Sequence, residues 1–157
     1  MKHIGSNQTT NNIYKRRLNE LRAKLRDKDV DAALITKREN YIYLSGFTGT
    51  FANLIITQDS AILITDFRYV EQASRQARFF EIVRYGGKLE ETLDGLLRSK
   101  NINVLAFEES HLSFANYSKY KKKFNVKEFV PLEGAVEHLR MIKDEEEIEI
   151  IQKAVQI

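Results

Sequence analysis

Two apolar runs of five residues, Asn53-Leu54-Ile55-Ile56-Thr57 and Ala61-Ile62-Leu63-Ile64-Thr65, are separated only by Gln58-Asp59-Ser60. A polar link this short cannot carry a chain back along a parallel path, so the two runs pair as an antiparallel hairpin. Before the hairpin, Tyr14, Leu18, Leu21 and Leu25 line one side of an amphipathic helix over 12–28. Asp31 to Thr36 then forms a short apolar strand, and 38–45 a short helix that stops near Gly46. After the hairpin come a helix over 68–77, a strand over 81–85 closed by Gly86-Gly87, and a helix marked by Leu89, Leu93, Leu96 and Leu97. A strand over 103–107, a helix over 113–123 and a strand over 126–130 complete the alternation. The expected fold is an α/β domain with a mixed β-sheet flanked by helices and an antiparallel hairpin in its first half. Pro131, the only proline, follows the last strand, and 131–143 is expected as a connector.

Residues 144–157 read as a further helix. Asp144 is placed to cap it, with Glu147 reaching back as in a capping box, and the acidic first turn suits the helix dipole. Ile148, Ile151 and Val155 recur at i, i+3 and i+7, widened by Ile150, Ala154 and Ile157, and no Gly, Asn or Pro follows to stop the helix. Such an apolar face needs a surface to cover. The expectation is therefore one domain of a longer protein, with the covering surface lying beyond this sequence.

The chain has 157 residues, 43% of them apolar and 30% charged, which suits one globular domain with a substantial core. It has no cysteine, which excludes disulfides and thiol catalysis. No apolar run reaches the ~18 residues needed to cross a bilayer. Residues 1–11 are polar, lack the apolar segment of a signal peptide, and are expected as a disordered lead-in. The net charge of +3 raises nucleic acid as a partner. Yet the basic residues are dispersed, and the two local runs, Lys15-Arg16-Arg17 and Lys119 to Lys123, fall where a solvated helix face is the ordinary explanation.

Candidate chemistry is sparse. His3, His111 and His138 lie in no HExxH and in no zinc spacing, there is no GxSxG elbow, and neither Gly86-Gly87 nor Gly46/Gly49 matches a phosphate-binding fingerprint. Asp66, Glu108 and Glu109 follow strands and could gather at one sheet edge to hold Mg²⁺ for phosphodiester cleavage. The alternative is that Asp66 caps a helix starting near Phe67 while Glu108 and Glu109 face Arg68 or a helix N-terminus. The most suggestive segment is the Gly/Thr loop from Phe47 to Phe51. There Phe47 is expected in the core and Phe51 is offered to a ligand or partner chain.

Four segments in order carry a resemblance. They are Asn40-Tyr41-Ile42-Tyr43-Leu44-Ser45-Gly46-Phe47-Thr48-Gly49-Thr50, Thr65-Asp66-Phe67-Arg68-Tyr69-Val70-Glu71-Gln72-Ala73, Val104-Leu105-Ala106-Phe107-Glu108-Glu109, and Leu139-Arg140-Met141-Ile142-Lys143-Asp144-Glu145-Glu146-Glu147-Ile148. Together they resemble the N-terminal domain of the creatinase/prolidase family, the Xaa-Pro dipeptidases and aminopeptidases. The resemblance implies a ribonuclease-H-like fold over 12–131, with 132–157 as linker and first helix toward a missing pita-bread catalytic domain. In that family two divalent metal ions, Mn, Co or Zn, sit in the catalytic domain on two Asp, one His and two Glu, and activate a water against the bond before proline. No cofactor, metal ligand or catalytic residue is implied for this part of the chain.

What the resemblance implies for this domain is association and fencing of the active site in a cytoplasmic homodimer acting on short proline-containing peptides, with no nucleic acid or membrane partner. In relatives the loop matching Gly46 to Asn53 reaches a neighbouring cleft, where an aromatic and a cationic residue hold substrate. Phe51 and Asn53 are the candidates at that loop, which supplies no Arg. Arg68 is the candidate cation nearby, with a pair to Asp66 or Glu108 the favoured alternative. Two other readings are carried: a Mg-dependent nucleic-acid-processing domain using Asp66, Glu108 and Glu109, and a free-standing interaction module.

Overall fold

The structure, a computed structural model, describes residues 4–156, with side chains from residue 12 onward. His3 lies outside the described residues, as do the first three positions of the lead-in expected over 1–11. The remainder of that lead-in is the start of helix α1, Ile4–Asp27, which no proline interrupts. Leu18, Leu21 and Leu25 form its buried stripe.

Strands β1 (Ala32–Ile35), β2 (Asn53–Thr57), β3 (Ala61–Thr65), β4 (Glu81–Arg84), β5 (Val104–Phe107) and β6 (Glu128–Pro131) make one sheet in the order β4-β3-β2-β1-β5-β6. The hairpin expected from the apolar runs is β2–β3, and β1 pairs antiparallel with β2. The β1–β5, β5–β6 and β3–β4 pairs are parallel, so the sheet is mixed. Every residue of β1, β2 and β3 is buried, because helices cover both faces.

The alternation of side chains sorts the core into two layers. Ala33, Ile35, Leu54, Ile56, Leu63 and Ala106 face α1, α2 (Arg38–Ser45), α3 (Val70–Gln76) and α6 (Ala135–Met141). Ala32, Leu34, Ile55, Ile62, Ile64 and Leu105 face α4 (Leu89–Ser99) and α5 (Phe114–Lys123). The sheet's C-terminal edge strand is closed by an aromatic group in which Phe107 and Phe129 stand 4.3 Å apart.

Three expectations change. Pro131 lies inside β6 rather than after it, opposite Phe107 on an edge strand where a missing N–H is tolerated. The expected connector over 131–143 contains α6, and Leu132, Ala135 and Val136 belong to the core. Their i, i+3, i+4 spacing, continued by Leu139, is a helical stripe that the proline masked. Arg17 is not on a solvated face; it is 7% exposed and bonded to other elements. Lys119 and Lys121 to Lys123 do face solvent.

Helix α7 (Glu145–Val155) begins with the capping box expected from the sequence, Asp144 accepting from the Glu147 N–H at 2.9 Å and Glu147 accepting from the Asp144 N–H at 3.1 Å. None of its residues is buried, and Ile151 and Val155 are 48% and 80% exposed. No helix among the described residues is long and apolar enough to cross a membrane.

If 132–141 is core, Leu132→Ala lowers the unfolding free energy by about 3 kcal/mol. Met141→Ala, at an exposed position, changes it by no more than about 0.5 kcal/mol. Urea denaturation of both variants measures the difference, and equal small effects would return this segment to a linker.

Candidate functional site

Glu108 sits one residue beyond β5 and is 3% exposed. Its Oε2 accepts the backbone N–H groups of Thr36 and Lys37 at 2.6 and 2.7 Å, and its Oε1 accepts Asn40 Nδ2 at 2.6 Å. A carboxylate from β5 thus supplies the acceptor that α2 lacks at its own N-terminus, where Lys37 provides no side-chain cap. Asn40 is saturated. Its amide also donates to Glu137 Oε1 at 2.9 Å, and its Oδ1 accepts Arg140 Nη1 at 3.0 Å, tying α2 to α6. Burial alone would raise the Glu137 carboxyl; the bonds from Asn40 and Lys37 outweigh it and hold it below the usual range.

The loop after α2 is built from the same helix. Gly46 takes a left-handed conformation at φ +76°, and its N–H caps the helix on Ile42 O. Phe47 is fully buried as expected, edge-on to Tyr69 at 5.9 Å. A Cβ on Gly49 would stand 2.1 Å from the Phe47 ring, so only glycine lets the loop close over it. The Tyr41 hydroxyl donates to Gly49 O at 2.8 Å, and Arg38 Nη2 donates to Thr48 O at 2.9 Å.

Beyond this loop opens a cleft of about 510 Å³, whose lining includes Arg38, Phe51, Asn53, His111, Asn116 and Lys119. Of the three residues singled out in the sequence, Phe51 and Asn53 are brought together here, while Arg68 is not among the lining residues. Phe51 is half-buried with its ring 5.8 Å from Tyr85. Arg68 is exposed and forks onto Asp66, with Nε and Nη2 at 2.9 and 2.8 Å from the two carboxylate oxygens. That pair lowers the Asp66 carboxyl and raises the Arg68 guanidinium. Phe67, beside Arg68, is 71% exposed, a display the sequence reading missed.

The nuclease reading needed Asp66, Glu108 and Glu109 to converge. Each is instead engaged separately: Asp66 by Arg68, Glu108 by the α2 N-terminus, and Glu109 by the Glu133 N–H at 3.2 Å. Among the described residues no group of three or more His, Asp or Glu side chains is arranged to hold a metal ion. These residues therefore do not fit the dimetal centre that the family resemblance places elsewhere.

A second feature is the base of α7. Arg17 donates to Tyr43 O at 2.8 Å and to the Asp144 carboxylate, with its guanidinium 4.0 Å from the Tyr43 ring centroid. Burial would raise the Asp144 carboxyl; the Glu147 N–H, Arg17 and Arg16 outweigh it, so it is held below its ordinary value. Clefts of about 960 and 390 Å³ open beside this base, one against α1 and the other between α1 and α2. Ile148 lines the first and Ile150 the second.

Residues 17–142 match the family model described as the creatinase/prolidase N-terminal domain. An uncharacterized peptidase of Bacillus subtilis is 39% identical over 141 residues, covering 90% of this chain and 40% of that protein. The structure of a Xaa-Pro dipeptidase from Bacillus anthracis superposes with a TM-score of 0.86 at 36% identity, covering 89% of this chain and 39% of that one. The N-terminal domain of a cytoplasmic peptidase from Mycobacterium tuberculosis superposes at 0.72 and 29% identity, covering 79% of this chain and 98% of that one. The chain spans about 40% of the length of the curated relatives it matches.

Glu108→Ala leaves two part-buried N–H groups and one donor of the buried Asn40 amide without their acceptor, and is expected to lower stability by about 2–3 kcal/mol. Glu109→Ala changes it by less than about 1 kcal/mol. Thermal or urea unfolding distinguishes them, and a mild Glu108 effect would contradict its role as the α2 cap.

Proposed function

The chain belongs to the creatinase/prolidase N-terminal domain family, and from that premise we propose that it serves as the non-catalytic N-terminal domain of a Xaa-Pro peptidase. The observation that carries this reading is the uncovered apolar face of α7. Ile148, Ile151 and Val155 stand out from a helix with no buried residue, and Met141 and Ile142 just before it are exposed as well. Full burial of each such side chain contributes about 1.5–3 kcal/mol. An 11-residue helix is marginal without such packing. A second domain seated on this face would cover it, with Arg17 and the capping box fixing the direction in which α7 leaves.

In this reading the metal ions and the reacting groups belong to that second domain, with Mn, Co or Zn as the metals. The N-terminal domain contributes dimer contacts and narrows access to the active site, favouring short proline-containing peptides. Phe51 and Asn53 present the cleft to substrate or to the neighbouring subunit, and Arg68, held by Asp66 beside exposed Phe67, forms an adjoining contact. A cytoplasmic location fits the same reading, by likeness to the Mycobacterium tuberculosis peptidase.

Purified chain is expected to leave a Xaa-Pro dipeptide uncleaved in Mn²⁺. Joined through α7 to the portion of the Bacillus anthracis dipeptidase that it does not cover, it is expected to support cleavage. Ile148→Lys with Ile151→Lys should leave the stability of the chain itself within about 1 kcal/mol, yet lower the fusion's turnover at least about tenfold. Turnover by the chain alone, or a loss of several kcal/mol in its own stability, would overturn the proposal.

A further inference from the structure

The cleft beside the loop lies where the chain path diverges. From the carboxyl end of β1 the chain passes to α2 on one face of the sheet, and from the neighbouring, parallel β5 it passes to α5 on the other. Such a switch point leaves a crevice outside the strand ends, the place where open α/β sheets bind ligands. Thr36, just after β1, and His111 to Ser113, after β5, form part of its wall. Asn53, the first residue of antiparallel β2, reaches the same edge.

Asn53 is only 4% exposed, and among the described residues its side-chain amide has no hydrogen-bond partner. Its amide atoms are not sealed from solvent, since among the described residues the only fully buried side-chain polar atom without a partner is Arg17 Nε. Asn40, equally buried, makes bonds through both amide atoms. What remains accessible of Asn53 lines the cleft, in which it offers both a donor and an acceptor.

The charged side chains of the lining have one sign. Arg38 and Lys119 line the cleft, and no Asp or Glu does. Lys119 is only loosely paired, 3.6 Å from Glu90 outside the lining, and Arg38 spends one donor on a neutral carbonyl. The first turn of α5 opens at the same wall, where Ser113 Oγ accepts the Asn116 N–H at 3.2 Å. Phe51, Leu89 and Leu112 supply an apolar side.

We propose that this cleft is a binding site for a small organic oxyanion, a carboxylate or phosphate held by Arg38 and Lys119, with a neighbouring amide or hydroxyl of the ligand satisfying Asn53. About 510 Å³ accommodates a metabolite-sized molecule. The inference stands on the cleft's own residues and not on the peptidase reading, so the chain by itself is the material for its test.

The experiment is a titration of the ¹⁵N-labelled chain, at constant ionic strength, with inorganic phosphate and separately with N-acetylproline as the carboxylate probe. Chloride serves as the reference. Saturable shifts are expected for the Asn53 side-chain amide and the backbone of 113–116, with half-saturation below about 10 mM. Saturation by one probe alone assigns the oxyanion; saturation by both assigns a site that reads the shared charge. Lys119→Gln, at an exposed position, and Arg38→Gln should each weaken binding about tenfold, and Asn53→Ala should weaken only the probe that carries an amide. If Asn53→Ala unfolds, Lys119→Gln alone decides. Non-saturating shifts equal to those in chloride, or shifts that Lys119→Gln leaves unchanged, would overturn the proposal.

Discussion

One buried carboxylate organises the functional end of this domain. Glu108 leaves β5 at the sheet edge and accepts from Thr36, Lys37 and Asn40 at once. A buried charge is tolerated only when its bonds are complete, and here backbone and side-chain donors complete them. The geometry of α2 follows, and with it Tyr41, whose hydroxyl holds Gly49 and so the loop over Phe47. Through Asn40 the same carboxylate reaches Glu137 and Arg140 on α6, the helix that leads into α7. A residue that the sequence alone could assign to nuclease chemistry is thus a structural keystone.

At the opposite end of that chain of contacts, Arg17 does for α7 what Glu108 does for α2. It stands between Tyr43 O and the Asp144 carboxylate that caps α7. The helix is therefore fixed at its base and uncovered along its length. A domain that docks needs this combination, because a rigid base sets orientation while an exposed apolar stripe supplies the association energy. The cleft that holds Asn53 lies elsewhere, against α5, and shares no lining residue with the larger cleft at the base of α7.

Much of the fold was legible because local pattern and tertiary environment agree. The β2 and β3 runs, the stripe of α1 and the Asp144–Glu147 capping box each follow from spacing alone. Family resemblance added the identity that spacing could not. The misreadings arise where a single strong signal conceals a weaker one. Pro131 suggested an end to structure and hid the stripe from Leu132 to Leu139, while the Lys15-Arg16-Arg17 run hid one buried arginine among solvated ones. The candidate site was only partly legible. Phe51 and Asn53 share the cleft, but Arg38 and Lys119 come from elements 81 residues apart in number, a juxtaposition created by the β1–β5 pairing.

The docking role of α7 is tested most directly by native-state hydrogen exchange of its amides, read in the chain by itself and in the fusion with a peptidase's remaining portion. In the chain by itself, the amides of 148–155 are expected to open with free energies well below those of β1 to β3, because no tertiary packing covers them. In the fusion they are expected to approach the protection of the sheet. Protection of α7 equal to that of the sheet in the chain alone, or no gain in the fusion, would contradict a helix held ready for a second domain.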